Sequence, residues 1–378
     1  MSRFFTRERF GSAQLAAAII LLFFFGQCIW FSARVPLTDR EVAFVMQGQR
    51  QWRMQEISFH DQASPVTGLI AAAPLLTSHP PEQDLHSYWR WLARMPFMLA
   101  GALYGASIWY VARRLYGNVA GYIALILYSF SPWFIIHSAM VQPEVIAGWA
   151  AFGGIFTAIG VAHSLYAPRE VVLWNWKRIL LLAGALGVGS AAYPAVILLV
   201  PMALGFMWYL VPKRRGAATV ILLASCVLGA ILLWAAYGFH FSAMGQAIRS
   251  SHVFHVSPDS YSAPITWAWI VNFFVIQQPT VTFLLVVSLV TFAFWKRARF
   301  FGTAAPLIVF AMLLLIGIGM PTQGGMPFYL MALPFALVFI SGVMTDLLES
   351  RYASISLGVV VGVLVGHVVI SMTGLLRM

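Results

Sequence analysis

The chain has 378 residues, of which 61% are hydrophobic and 9% are charged, and its mean hydropathy is +0.82. A soluble domain carries about 25% charged residues, so this composition excludes a soluble globular protein, a disordered chain and a coiled coil. Aromatic residues make up 15% of the sequence, and they are typical of the membrane–water interface. Cys28 and Cys226 both lie in apolar runs, which does not support a disulfide scaffold. The sequence therefore predicts an all-α polytopic membrane protein.

Eleven segments are apolar enough to be read as membrane-spanning helices, for which about 20 residues are needed. They are 13–33, 91–112, 118–136, 144–166, 178–192, 194–211, 217–237, 279–295, 303–320, 327–347 and 353–375. The first is too long for the apolar region of a signal peptide and is expected to remain as an anchor. Tyr193-Pro194 divides the long run 179–211 into a tight helical hairpin, because proline interrupts helices.

The basic residues predict the orientation of these spans, because Lys and Arg near span ends stay in the cytoplasm. With a cytoplasmic N-terminus and an external C-terminus, the inner segments hold 15 of the 23 basic residues, every lysine included, and four acids. The external segments hold eight basic and eight acidic residues. The net charge of +11 is then an orientation signal, and no nucleic-acid partner is needed to explain it.

The polar chemistry is concentrated in two external loops, at about 34–90 and 238–266. Long loops often carry function, so the site is expected on the external face. Three apolar or amphipathic stretches in these regions, 39–54, 67–76 and 267–276, suit helices that lie in the interface.

Three acids are candidate catalytic residues. Asp39 follows the first span and reads either as a helix N-cap, which Thr38 could equally supply, or as a functional carboxylate. Glu41 completes an Asp-Arg-Glu triplet, which could bind a divalent cation in an extended turn, although the two acids would diverge in a helix. Glu144 follows Pro143 at the outer start of the fourth span, where it either complements the helix dipole or serves a site.

Four stretches in chain order resemble the GT-C superfamily of integral-membrane glycosyltransferases, in particular the protein O-mannosyltransferase and aminoarabinose-transferase-like branch. They are the acid-rich Thr38-Asp39-Arg40-Glu41-Val42; Ser64-Pro65-Val66-Thr67-Gly68-Leu69, which is similar to a Pro-Pro-Leu element; Ala93-Arg94-Met95-Pro96 through Arg113-Arg114-Leu115-Tyr116-Gly117, continuing to Ser131-Pro132 and Pro143-Glu144; and Tyr329 to Pro334.

The sequence also departs from the family pattern. Asp-Arg-Glu stands where Asp-Glu is usual, and Glu144 stands where Asp is usual. No basic residue precedes Tyr329, and the soluble C-terminal domain common in the family is not expected here. The chain is expected to form one transmembrane domain over residues 1–378.

The resemblance implies an inverting glycosyltransferase that moves a sugar from a polyprenyl-phosphate donor to a lipid, glycan or protein acceptor. It implies Asp39 as the base, with Glu41 near it and Glu144 orienting the acceptor or a basic side chain. For the donor phosphate we expect the cationic candidates Arg90, Arg94, Arg249, His60 and His252. No metal ligands and no certain cofactor are predicted, although a divalent cation is possible. The expected location is a bacterial inner (plasma) membrane, with the site facing the periplasm.

Alternative functions are a secondary transporter, an inactive GT-C-like subunit of a membrane complex, and an O-antigen ligase or polymerase. A transporter would carry intramembrane charges and internal repeats, whereas these spans are nearly free of charge. The ligases usually have their large external loop late in the chain, and here it comes first. Because Asp-Arg-Glu replaces the usual Asp-Glu, an inactive GT-C-like subunit remains an alternative function.

Overall fold

The computed structural model describes residues 11–53, 64–76, 85–166, 176–250, 256–320, 325–350 and 353–377. All regular elements in these ranges are helical, and the described chain contains no strand. This agrees with the prediction of an all-α membrane protein.

Nine α-helices form the first part of the chain. They are α1 (Ser12–Arg34), α2 (Asp39–Trp52), α3 (Pro65–Ala72), α4 (Leu85–Tyr116), α5 (Asn118–Ser129), α6 (Pro132–Ala139), α7 (Pro143–Ser164), α8 (Trp176–Ala192) and α9 (Leu199–Leu210).

Seven further α-helices complete the described chain. They are α10 (Arg215–Ala236), α11 (Phe241–Ser250), α12 (Pro264–Val271), α13 (Pro279–Phe294), α14 (Phe301–Gly319), α15 (Met326–Leu348) and α16 (Ala353–Arg377). Short 3₁₀ segments at Ala73–Leu75 and Pro194–Leu198 extend α3 and precede α9.

A helix lies at each of the eleven predicted spans, but fewer helices meet a length and hydropathy test for crossing a membrane. Within the described residues seven helices meet it, or up to nine when two bent helix pairs are each counted as one span. The segment Pro194–Leu210 is shorter than a usual span. A multi-pass helical membrane protein is therefore confirmed, while the count of eleven and the orientation of the termini stay predictions.

One predicted span, 118–136, is bent at proline, and a second bend separates the predicted interfacial stretch 267–276 from the predicted span 279–295. α5 and α6 meet at an angle of 62°, and the segment Pro264–Ile276 meets α13 at 95°. Proline has no N–H and cannot continue the hydrogen-bond ladder of a preceding helix. The two bends touch each other, because the Ser131 hydroxyl donates to Oε1 of Gln278. Apolar sequence across the first bend led to the prediction of one straight span over 118–136, whereas 267–276 and 279–295 were predicted as separate segments.

α15 occupies the centre of the bundle. Residues 328–345 of this helix are all buried. The helix packs against α4, α5, α7, α13, α14 and α16. Close approach elsewhere depends on glycine: a Cβ at Gly187 of α8 would lie 2.5 Å from the Gly229 carbonyl oxygen of α10. The buried His367 of α16 packs between helices, since its ring nitrogens bond to Thr280 and to the Leu127 carbonyl.

The long segment between α1 and α4, which is predicted to be external, contains the predicted short helices α2 and α3. They pack backbone to backbone, because a Cβ at Gly48 would lie 1.9 Å from the Gly68 carbonyl oxygen. The Trp52 indole N–H also donates to the Leu69 carbonyl at 3.0 Å. This contact fixes α2 against α3. Two of the candidate acids, Asp39 and Glu41, lie in the first turn of α2.

Candidate active site at the start of helix α2

Thr38 caps α2 and fixes its first turn. The Thr38 hydroxyl accepts from the Glu41 N–H at 3.3 Å, and the Thr38 N–H donates to Oε2 of Glu41 at 2.9 Å. This reciprocal arrangement is a capping box. Thr38 rather than Asp39 is therefore the N-cap, and the exposed Asp39 is the first residue of the helix. Asp39 remains available for chemistry.

Glu41 lies on a different side of the helix from Asp39 and is 1% exposed. Nε and Nη2 of Arg94 donate to its two carboxylate oxygens at 2.7 and 2.6 Å, and the Val141 N–H donates at 2.9 Å. Burial alone would raise the pKa of Glu41. The hydrogen bonds from Arg94, Thr38 and Val141, together with the charge of Arg94, lower it below its usual value.

Arg94 is completely buried and uses all of its N–H groups within the protein. Besides Glu41, it donates to the Ser32 hydroxyl and to the carbonyl oxygens of Ser32, Val35 and Pro36. In this arrangement it offers no N–H to the donor phosphate. The guanidinium instead joins the end of α1, the start of α2 and span α4.

Glu144 lies in the first turn of α7, where Pro143 occupies the first helical position. Its side chain is 13% exposed, and its Oε1 lies 3.8 Å from Nη2 of Arg40. Its Oε2 is buried and accepts no hydrogen bond from the described residues. Because Arg40 directly follows Asp39, this ion pair brings the starts of α2 and α7 together.

Two aromatic side chains border the Arg40–Glu144 pair. His137 of α6 stacks on Trp133 with ring centres 4.6 Å apart, and both Glu144 and Arg40 act on it electrostatically. Tyr193 lies between α8 and the segment leading to α9. Burial raises the pKa of Tyr193 to about 12; Glu144 adds to this increase and Arg40 opposes it.

The structure thus groups Asp39, Arg40, Glu144, His137 and Tyr193 at one end of the bundle. The prediction had placed the two acids in one site but had not included Arg40 or Tyr193. The sequence offered a signal for each of them: Arg40 lies between the two acids of the Asp-Arg-Glu triplet, and Tyr193 lies at the predicted hairpin turn. Nothing in the sequence placed that turn beside Glu144.

Arg90 and Arg249, which are also predicted phosphate ligands, lie outside this group of contacts. Arg90 is half-buried near the Trp91 ring, and its Nε has no hydrogen-bond partner among the described residues. Arg249 is exposed in the last turn of α11. His60 and His252 lie outside the described residues. Within the described ranges, no three or more His, Cys, Asp or Glu residues are grouped so as to hold a metal ion.

Solved structures of an archaeal enzyme have a similar fold. The oligosaccharyltransferase of Archaeoglobus fulgidus, in a crystal structure with Zn and sulfate, matches with a TM-score of 0.62 at 13% identity, over 94% of this chain and 52% of that chain. The same archaeon's AglB, in complex with an inhibitory peptide and a dolichol-phosphate, matches with a TM-score of 0.60 at 11% identity, over 96% and 56% of the two chains.

A third structure, with an acceptor peptide containing the NVT sequon tethered by a disulfide bond, matches with a TM-score of 0.57 at 11% identity, over 94% of this chain and 53% of that chain. This chain has the oligosaccharyltransferase fold. It spans about half the length of the chains it matches. The GT-C fold expected from the sequence is therefore supported, whereas no family model and no curated protein matches the sequence.

Proposed function

We propose that this chain is an inverting glycosyltransferase that moves a sugar from a polyprenyl-phosphate donor to an acceptor at the external face of a membrane. The observation that carries the proposal is the exposed Asp39, held in place by the buried Glu41–Arg94 pair and adjacent to the Arg40–Glu144 pair. The fold shared with a glycosyltransferase supports the same reaction class.

In the proposed reaction, Asp39 accepts the proton of an acceptor hydroxyl or amine. The acceptor atom forms a bond to the anomeric carbon of the sugar as the bond from that carbon to the phosphate oxygen breaks. The electron pair leaves with the polyprenyl phosphate, and the anomeric centre inverts. This chemistry needs a carboxylate beside the membrane surface and a cation near the departing phosphate.

Glu41 and Arg94 have a positioning role in this proposal. Both are buried and bonded to each other, and their partners fix the first turn of α2. We therefore reassign Arg94 from the donor phosphate, and Glu41 from direct catalysis, to holding Asp39 in place. Arg90, Arg249, His60 and His252 remain predictions as phosphate ligands.

The finer parts of the proposal concern the donor and the setting. A polyprenyl monophosphate carrying a hexose or pentose, and a lipid, glycan or protein acceptor, would follow the O-mannosyltransferase and aminoarabinose-transferase-like branch. The balanced charges of the external loops and the basic inner segments support a site facing the periplasm of a bacterial inner membrane.

Asp39→Asn tests the proposal directly. We expect a loss of at least about 100-fold in transfer from a pool of polyprenyl-phosphate sugars, because the amide cannot accept the proton. Transfer is measured as radiolabelled sugar appearing in acceptor fractions.

The matched control is Asp259→Asn, which removes an exposed carboxylate from the second external loop. It should retain wild-type transfer. Full activity in Asp39→Asn would remove Asp39 as the base. If the wild-type chain transfers none of the sugars in the pool, the proposed glycosyltransferase function is contradicted.

A further inference from the structure

Arg40 differs from Arg94 in how it is held. The Arg94 guanidinium is completely buried and lies 2.6 Å from Glu41, whereas Arg40 is 46% exposed. The nearest atoms of Arg40 and Glu144 are 3.8 Å apart, which is beyond hydrogen-bond distance. Only the arginine side of this pair is open to solvent, since the Glu144 side chain is 13% exposed. Arg40 is therefore held less tightly than Arg94, and a second anion can reach its guanidinium.

The backbone of Arg40 is nevertheless fixed. It lies in the first turn of α2, between the capping residue Thr38 and the clamped Glu41. Its only described ring contact is with Phe44, whose centre lies 5.6 Å from the guanidinium carbon. A long side chain on a fixed backbone can move its charge by several ångströms while Asp39, the preceding residue, stays in place.

We propose that Arg40 binds the phosphate of the lipid-linked donor and that Glu144 is its counter-ion while the site is empty. This inference rests on the proposed glycosyltransferase function and names the cation that acts in it. The planar guanidinium presents paired N–H groups that match the oxygens of a phosphate. When the donor enters, its phosphate replaces Glu144 as the partner of Arg40.

The charge that develops during the reaction explains why a cation is needed at the departing phosphate. The donor phosphodiester carries one negative charge, and the departing polyprenyl phosphate carries nearly two. The extra charge develops as the bond from the sugar to the phosphate oxygen breaks, while the acceptor proton moves to Asp39. A guanidinium at that phosphate stabilises the transition state more than the bound donor, so it raises kcat as well as affinity.

The proposed role of Arg40 also explains why an arginine lies between the two acids of the Asp39-Arg40-Glu41 triplet. With three consecutive residues in one helical turn, side chains are separated by about 100°. Asp39 faces solvent, Arg40 reaches Glu144, and Glu41 reaches the buried Arg94. One turn of helix thereby presents a base, a movable cation and a structural anchor in three directions.

The test measures equilibrium binding of radiolabelled polyprenyl monophosphate to the full-length chain in detergent micelles. The variants are Arg40→Gln, Arg40→Lys, Glu144→Gln and the double variant Arg40→Gln/Glu144→Gln. Arg50→Gln is the matched control, since Arg50 is an exposed arginine in the last turn of the same helix. Unphosphorylated polyprenol and phosphatidylglycerol serve as competitors.

We expect Arg40→Gln to weaken binding about tenfold and Arg40→Lys to restore part of it, because lysine keeps the charge without the paired N–H groups. Glu144→Gln should tighten binding about threefold by removing the competing carboxylate. In the double variant Glu144→Gln should add nothing, since its effect passes through Arg40. Arg50→Gln should bind like the wild type.

Three outcomes would overturn the role of Arg40. They are wild-type binding by Arg40→Gln, weaker binding by Glu144→Gln, and equal displacement of the probe by phosphatidylglycerol, which would mark a general headgroup site. A different result bears on the function instead: a wild-type chain that binds polyprenol as tightly as polyprenyl monophosphate has no donor phosphate site at all. Because Arg40 is exposed, thermal unfolding of its variants should match the wild type, which separates binding from folding.

Discussion

The buried pair of Glu41 and Arg94 stabilises the protein only while both charges are present. Each side chain is at most 1% exposed, so removal of one charge leaves the other buried and unpaired. Such a loss costs about 3–5 kcal/mol, far more than loss of an exposed pair. The Arg40–Glu144 pair lies between these two cases, because Arg40 is 46% exposed and Glu144 is 13% exposed.

Glu41→Gln should therefore lower the free energy of unfolding by about 3–5 kcal/mol at pH 7. It should also change the dependence of stability on pH. The native pKa of Glu41 is lowered, so its contribution is complete above the ordinary value of 4.5 and is lost as the pH falls from there through the native pKa. Thermal unfolding in detergent between pH 3 and pH 7 measures both effects.

Asp259→Asn controls for this experiment, because it removes an exposed external carboxylate and should retain the wild-type stability and pH slope. The wild-type curve should fall more steeply below pH 4.5 than the curve of Glu41→Gln. Parallel curves for the two proteins would show that the pair does not hold α2 in place.

At this scale the sequence pointed to three acids but not to the residues that contact them. Asp39 and Glu144 were placed in one site by their positions at the outer ends of spans, and the structure brings their helices together. Glu41 and Arg94 are 53 residues apart in the chain. No periodicity links residues at that separation, so a buried pair and a phosphate ligand could not be distinguished.

The contact between α2 and α3 determines where the site stands relative to the membrane spans. These helices pack with Gly48 against Gly68, and there is no room for a side chain between them. α3 in turn contacts α4, the helix that carries Arg94. Asp39, the proposed base, is therefore positioned through a packed pair of short helices.

Gly48→Val should force α2 and α3 apart, because even its Cβ would lie 1.9 Å from a backbone oxygen. Overpacking of this kind costs about 1–3 kcal/mol, and transfer activity should fall with it because α2 carries Asp39. Sugar transfer and thermal unfolding are measured together on the same preparation.

Gly245→Ala in α11 is the comparison, since a Cβ at Gly245 meets no atom within 4 Å. It should leave both measurements close to those of the wild type. Wild-type activity in Gly48→Val would mean that the spacing of α2 and α3 does not position the base.

Element positions were predictable where composition changes abruptly. The short external helices and the break at Tyr193-Pro194 appear close to the predicted residues because capping and proline signals mark them. The bend at Ser131 was not predicted, whereas 267–276 and 279–295 were already predicted as separate segments on either side of Gln278. The first bend lies within apolar sequence, and the angle between two helical segments depends on what packs in the bend, here the side chains of Ser131 and Gln278.

For the whole molecule, the charge distribution predicts the sides of the membrane. Lys213 and Asp259 are exposed residues in connecting segments, of which the first is predicted to be cytoplasmic and the second external. If the orientation is right, the two segments face opposite compartments. The site at the start of α2 should share the compartment of Asp259.

Single-cysteine variants test this orientation. In a background with Cys28 and Cys226 replaced by alanine, a membrane-impermeant maleimide added to intact spheroplasts should label Asp259→Cys at once. It should label Lys213→Cys only after permeabilisation, because a charged reagent does not cross the bilayer.

The background without added cysteine supplies the blank, and labelling of both variants after permeabilisation shows that both sites are reactive. Immediate labelling of Lys213→Cys together with protection of Asp259→Cys would invert the topology. That result would move the proposed site to the cytoplasm.

The burial of α15 has a consequence for the order of assembly during synthesis. This helix fills the centre of the bundle, and five of the helices it packs against, α4, α5, α7, α13 and α14, precede it in the chain. These helices therefore leave the ribosome before it. Their shared interior surface is completed only when α15 is inserted between them.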